Sequence, residues 1–166
     1  NNIVSQSEIN LIEENLLIDF SKNNVRGLDK KSLMILDLLE QNNWERPIYF
    51  AITIGDPNQN PEPFMFLNDY LQLDGMVYQL SPIKNSNNES GRVKSNILYD
   101  NLMNNYSWGG IDKNNVYIDE TNARMIRNFK NIFNRLASKL LQENKLDKAG
   151  KVIEKSLTTI KPELIP

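Results

Sequence analysis

From Met125 to Leu141 the apolar residues Met125, Ile126, Phe129, Ile132, Phe133, Leu136, Ala137, Leu140 and Leu141 recur at three- and four-residue steps. That period keeps one face of an α-helix apolar over about five turns, and an extended strand cannot reproduce it. Asp119 or Thr121 can cap the start, and Glu120 suits the positive end of the helix dipole. Gln142-Glu143-Asn144-Lys145 then turns the chain. Leu146, Ala149, Val152, Ile153, Leu157 and Ile160 form the stripe of a second helix, which Lys161-Pro162 ends. Two amphipathic helices joined so tightly make an antiparallel hairpin.

The large and small positions are specific enough to compare with a repeat. Phe133, Leu136, Ala137 and Leu140, followed by Ala149, Ile153 and Ser156, fit a tetratricopeptide unit, whose pattern spans about 34 residues; Pro162 arrives one residue late. Small side chains are needed where helix backbones approach closely. The alternative is a generic helical hairpin covering a sheet. One such unit leaves a face open, so either the rest of the chain covers it or further repeats follow Pro166.

The preceding residues read differently. Glu8 to Asn15 is weakly helical, and Leu16 to Phe20 suits a short strand. Asp29 caps a helix over Lys30 to Gln41, with Leu33, Leu36 and Leu39 in its stripe. Arg46-Pro47 stops it, because the residue before proline avoids the α region. Ile48 to Ile54 is apolar except for Thr53, the pattern of a strand buried on both faces. Three prolines make Gly55 to Pro63 a loop. A short helix follows within Phe64 to Leu71. Met76 to Ile83 is a second strand, its Pro82 marking an edge or a strand end. Lys84 to Gly91 has the composition of a flexible loop. Asn96 to Asn105 is a short helix with Ile97, Leu98, Leu102 and Met103 inward, ended by Trp108-Gly109-Gly110, and Val116 to Ile118 is extended. The fold class is therefore α+β: a small β-sheet with flanking helices in residues 1–118, then the tetratricopeptide-like hairpin in 119–166, packed as one compact unit.

Composition sets chemistry aside. With 166 residues, 40% hydrophobic and 24% charged, the chain can build a core. A net charge of −2 with interspersed signs lacks the positive field that nucleic-acid phosphates require. Cysteine is absent, removing disulfides, thiolate metal sites and thiol nucleophiles. Histidine is absent as well, which removes imidazole acid–base catalysis, a Ser-His-Asp triad and the usual zinc sites. Doublets such as Asn42-Asn43 and Asn104-Asn105 mark turns and helix ends. No apolar run approaches the roughly 20 residues that span a bilayer. A first residue of Asn1 rather than Met implies a piece of a longer polypeptide.

Candidate binding residues are Trp44, Arg92 and Trp108. The tryptophans, with Tyr70 and Tyr78, could form a sugar platform or anchor a core. Arg92 after Gly91 could clamp an anion or tie down the loop through a carboxylate. Asp112 to Asn115 with Asp119-Glu120 gathers oxygen ligands without the spacing of a calcium loop. The pairs Asp69/Asp74 and Asp100/Asp119 could serve glycoside chemistry, though nothing in their spacing distinguishes them from surface acids. No catalytic residue, metal ligand or cofactor is assigned.

Taken in order, NNWERPIYFA, DYLQLDGMVYQLSPIK, GRVKSNILYDNLMNNYSWGGID and NVYIDETNARMIRNF resemble the C-terminal soluble region of a family of large bacterial polytopic membrane proteins of unknown function. The resemblance covers roughly residues 16 to 166. The membrane part of that family is related to protein O-mannosyltransferases, and the resemblance implies that chemistry belongs to that missing part. No catalytic motif maps onto these positions. What is implied is a non-catalytic module on the extracytoplasmic or periplasmic side of a membrane-anchored parent, itself a candidate glycosyltransferase. Its partner would be another protein, an acceptor polypeptide or its own membrane domain. The competing readings are a carbohydrate-binding or carbohydrate-active domain, and a free-standing repeat adaptor.

Overall fold

A computed structural model describes residues 3–18, 20, 27–85, 89–113 and 116–161. Expectations that fall on Asp19, on part of the Lys84–Gly91 loop, on Asn114-Asn115 and on Pro162 lie outside those residues. The chain is α+β: a four-stranded sheet with flanking helices, and a helical hairpin at the C-terminal end. It divides into two compact units, residues 1–72 with 77–92, and residues 73–76 with 93–166.

In the first unit, helix α1 (Lys30–Asn42) begins where the Asp29 carboxylate accepts a hydrogen bond from the Ser32 backbone N–H at 2.9 Å. The cap is where the sequence put it. The inward stripe is not: Leu33 is exposed, Leu36 and Leu39 are only half-buried, and Ser32 is the helix's buried residue. α1 ends in two successive left-handed residues, Asn43 at φ 41° and Trp44 at φ 60°. The Asn42 side chain bridges this corner by donating to the Arg46 carbonyl at 2.7 Å.

Strand β1 (Tyr49–Ala51) pairs antiparallel with β3 (Val77–Leu80), with Phe50 opposite Tyr78. β2 (Leu71–Leu73) and β4 (Arg92–Val93) complete a sheet of order β1-β3-β2-β4. The expected doubly buried strand from Ile48 to Ile54 is corrected here. β1 lies at an edge, only Phe50 of its three residues is buried, and Ile52–Ile54 is a 3-10 turn. An edge strand with one solvated face alternates, whatever the hydrophobicity of its outward residues. The short helix expected within Phe64 to Leu71 is two 3-10 turns, Glu62–Phe64 and Asn68–Tyr70, leading straight into β2. β3 is an interior strand and Pro82 lies beyond its end. The described residues of Leu16 to Phe20 form no strand.

Phe50, Phe64 and Tyr78 make the aromatic centre of this unit, with ring centroids 5.5 and 5.8 Å apart. The Tyr70 hydroxyl, on a fully buried ring, accepts from the Leu17 N–H at 3.3 Å. Gly91, at φ 84°, passes so close to Tyr78 that a Cβ would stand 3.0 Å from the ring, so only glycine fits.

In the second unit, α2 (Ser95–Asp100) runs into a π-helical turn at Asn101–Asn105. Leu98 and Leu102 point inward as expected, whereas Ile97 is exposed. The 74–76 turn is clasped from there: the Asn101 side-chain amide donates to the Asp74 carbonyl at 2.5 Å, and the Met76 N–H donates to the Tyr106 hydroxyl at 3.2 Å. α3 (Glu120–Gln142) starts at Asp119, whose carboxylate accepts from the Thr121 and Asn122 N–H groups. α4 (Leu146–Thr159) follows a turn in which Asn144 is left-handed and the Lys145 N–H bonds the Leu140 carbonyl at 2.9 Å. The two helices pack on each other, and Phe133, Leu136, Ala137 and Leu140 of α3 and Ala149, Val152 and Ser156 of α4 are buried. Of the stripe expected on α4, Leu146, Ile153 and Leu157 are exposed instead. Among the described residues, no helix is long and apolar enough to cross a membrane.

Candidate functional site

The three candidate residues do not form one centre. Trp44 and Arg92 fall in the first unit and Trp108 in the second.

Arg92 is held on both sides. Its Nη1 donates to Glu8 Oε1 at 2.8 Å and its Nη2 to Gln72 Oε1 at 2.7 Å. Glu8 in turn receives the Ser5 hydroxyl at 2.5 Å, closing the 3-10 turn Gln6–Leu11 onto the end of the sheet. The Arg92 and Glu8 side chains are only 21% and 18% exposed. Both terminal nitrogens are engaged and the Nε–H is buried without a hydrogen-bond partner among the described residues, so no exposed fork faces an external anion. Of the two roles open to it, the geometry is that of the tie through a carboxylate. The residue missing from the sequence reading was Glu8, 84 positions away, which no local pattern connects to Arg92.

Trp44 lines a groove. The left-handed corner after α1 turns its ring toward Ile3, Ile9, Ile12 and Pro82, in a cavity of 530 Å³ whose lining includes Glu13 and Glu14. The N-terminal segment is fastened there by a bridge between Ile12 and Ile83 and by the Glu13 N–H donating to the Pro82 carbonyl at 2.9 Å. Ile9 and Ile12 stay exposed, and both glutamates face solvent. This is a largely apolar depression with two carboxylates at hand. The sequence placed Trp44 at the helix end, but not the N-terminal segment beside it.

Trp108 sits in an aromatic cluster, its centroid 5.3 Å from Phe133, 6.1 Å from Phe129 and 6.3 Å from Tyr106. Its indole N–H is buried without a hydrogen-bond partner among the described residues. The ring also lines a second pocket of 430 Å³ with Val116, Ile118, Met125 and Phe129. Its packing is that of an anchor beneath α3.

The acidic candidates have other partners. Asp119 caps α3, and hydrogen bonds from Asn122, backbone and side chain, hold its carboxyl below the usual carboxylate range. Asp100 accepts from the Asn104 amide at 3.3 Å. Among the described residues, no group of three or more acids gathers as metal ligands would.

One polar cluster went unnoticed in the sequence. Ser95, at the first turn of α2, donates to Glu143 Oε2 at 2.6 Å, and Lys145 Nζ donates to the same oxygen at 2.6 Å and to Ser95 Oγ at 3.3 Å. A Ser-Lys nucleophile would need a neutral amine as base. Here the Ser95 hydroxyl donates to Glu143 Oε2, not to the amine, and Lys145 donates to that same oxygen, so the pair is not arranged as nucleophile and base. Burial pushes Glu143 up, but hydrogen bonds from Lys145 and Ser95 and the Lys145 charge outweigh it and leave the carboxyl below its ordinary value. The cluster fastens α2 to the α3–α4 turn.

Residues 1–97, more than half of the 166-residue chain, match the model of a family described as TMEM260-associated domain 2. No curated protein and no solved structure matches the chain.

Proposed function

The chain belongs to the TMEM260-associated domain 2 family, and on that footing we propose that it is a non-catalytic polypeptide-holding module of a membrane protein. The parent would be glycosyltransferase-like, related to protein O-mannosyltransferases, with this module on the extracytoplasmic or periplasmic face. The observation that carries the reading is the groove beside Trp44, which lies in the part of the chain that the family match covers. Ile9, Ile12, Trp44 and Pro82 offer apolar contact, and Glu13 and Glu14 supply negative charge. That combination suits an extended segment bearing apolar and basic side chains, from an acceptor polypeptide or from the parent's own membrane domain. The α3–α4 hairpin fits alongside as a tetratricopeptide-like unit, with Ala137, Ala149 and Ser156 buried at its small positions. The absence of histidine and cysteine supports leaving the chemistry to the parent.

The two tryptophans make the test direct. In a Trp108→Phe background, Trp44 is the remaining reporter. A synthetic peptide of alternating Leu and Lys should shift its emission to the blue at micromolar to millimolar concentration, and Glu13→Gln with Glu14→Gln should weaken that response about tenfold. An unchanged spectrum up to millimolar peptide would refute the groove as a polypeptide site. Trp44 beside two carboxylates also favours a second reading, a carbohydrate site in which sugar stacks on the indole and its hydroxyls donate to the glutamates. A response to a mannose oligosaccharide that persists in high salt, with none to the peptide, would select it. Sidedness is testable with one added thiol: Tyr117→Cys, at a position 90% exposed, placed in the parent should add reactivity toward a membrane-impermeant maleimide on intact cells over that of the unsubstituted parent.

A further inference from the structure

β1 is an edge strand, paired with β3 and with no other strand among the described residues. Its register sets Phe50 opposite Tyr78, and the Leu80 N–H donates to the Ile48 carbonyl at 2.9 Å. Backbone groups of an antiparallel strand alternate between its two flanks, so those of Ile48 and Phe50 face β3 and those of Tyr49 and Ala51 face outward. Among the described residues nothing bonds the Tyr49 N–H, the Tyr49 carbonyl or the Ala51 N–H. The Ala51 carbonyl opens the 3-10 turn Ile52–Ile54, which ends the free edge. This edge leads into the Trp44 groove. The Glu13 N–H meets the Pro82 carbonyl, two residues beyond Leu80, whereas Ser81 between them donates to the Tyr70 carbonyl on the opposite flank. Ile12-Glu13 therefore lies on the same flank of the β3 chain as β1, in line with its start, and runs in the same direction.

We propose that an extended polypeptide from a partner protein adds to β1 as a fifth, antiparallel strand and continues into the Trp44 groove; this deepens the polypeptide-holding reading and rests on it. A row of N–H, C=O and N–H groups at strand spacing is matched by the backbone of an extended polypeptide. One residue of the incoming strand takes both Tyr49 groups, and the carbonyl two residues earlier accepts from the Ala51 N–H. A β-branched or aromatic side chain on the first of these packs beside the Tyr49 ring, which is 51% exposed. Because the strand runs against β1, its C-terminal side reaches Trp44 and the exposed carboxylates Glu13 and Glu14. The segment that fits is therefore β-branched first and basic after.

Calorimetric titration of the whole 166-residue chain with acetyl-Thr-Val-Thr-Val-Gly-Lys-Leu-Lys-amide should give a dissociation constant between about 1 µM and about 1 mM. The same residues in reverse order should bind about tenfold more weakly. N-methylating the second valine, which faces Tyr49, should weaken binding about tenfold by removing a hydrogen bond. N-methylating the threonine before it, whose N–H points away from β1, should change binding less than about threefold. Ala51 already has φ −69°, within the range of proline, and its N–H stands outside the β1–β3 ladder. Ala51→Pro should therefore leave the melting temperature equal or higher and weaken the peptide at least about tenfold. A peptide that shifts Trp44 emission yet ignores both backbone methylation and Ala51→Pro would keep the groove and overturn strand addition. Equal or tighter binding of the reversed peptide would overturn the antiparallel direction, and no binding at all would sink strand addition and groove together. A chain that dimerises without peptide and becomes monomeric with Ala51→Pro would give the edge to a second copy and overturn the proposal as well.

Discussion

Replacing Gly75 by alanine should unlock the turn between β2 and β3. Gly75 sits at φ 131°, and a Cβ built there would stand 1.9 Å from the Tyr106 hydroxyl oxygen and 2.8 Å from the ring carbon that bears it. The phenol must move, and when it moves the Met76 N–H loses its acceptor at 3.2 Å. Strained backbone at that φ costs about 1–3 kcal/mol for a residue with a side chain, and the lost hydrogen bond about 1 kcal/mol. The expected destabilisation of Gly75→Ala is therefore about 2–4 kcal/mol, measured by urea denaturation. Tyr106→Phe keeps the ring and removes only the hydroxyl, so it should cost about 1 kcal/mol. Combining Gly75→Ala with Tyr106→Ala removes the obstruction, and the double variant should be more stable than the sum of the single effects implies. Tyr106 also packs edge-on against Trp108, so Gly75→Ala should alter Trp108 fluorescence in a Trp44→Phe background. A Gly75→Ala chain within about 0.5 kcal/mol of the parent, with unchanged emission, would refute the argument, because no ordinary relaxation absorbs both the backbone and the steric penalty.

Arg92→Met should cost about 2–3 kcal/mol in a denaturant melt, since it leaves Glu8 and Gln72 without their charged donor; Arg92→Lys, with one point charge in place of the fork, should recover only part of it. The Glu143 cluster should make stability depend on acid. Its carboxyl is lowered from an ordinary 4.5, so its contribution is present above that value and lost as pH falls through the lower folded one. Glu143→Gln should therefore flatten the stability profile below about pH 4.5 and cost about 1 kcal/mol at pH 7, by thermal melts across that range. Leu136→Ala should cost about 2–5 kcal/mol, because Leu136 on α3 is 0% exposed and the truncation leaves a cavity.

Legibility followed the range of the interactions concerned. The α3–α4 hairpin was readable because its stripe repeats with the helix period, and because the caps of α1 and α3, Asp29 and Asp119, act within three residues. The sheet was readable only in part. Ile48 to Ile54 has the hydrophobicity of a buried strand, yet only Phe50 of Tyr49–Ala51 is buried and Ile52–Ile54 is a 3-10 turn. What packs above and below a strand, not its composition, decides how many faces are covered. β2 was missed because a three-residue strand shows hardly more than one period of alternation, and its pairing with β3 is what defines it. The candidate residues divide in the same way. Trp44, Arg92 and Trp108 stood out by type, but the groove beside Trp44 needs the N-terminal segment and Pro82, and the tie at Arg92 needs Glu8.

What the sequence by itself determined is the set of available chemistries and the local elements. With no histidine or cysteine anywhere, imidazole and thiol reactions are absent whatever the fold, and helix period and capping act over a few residues that any tertiary setting leaves adjacent. Only the tertiary structure decided which apolar residues are covered. Leu136 and Leu157 look alike in the stripes that carry them, yet one is sealed and the other is 53% exposed. Burial is a property of what lies across the gap, and chain segments far apart in sequence set that gap.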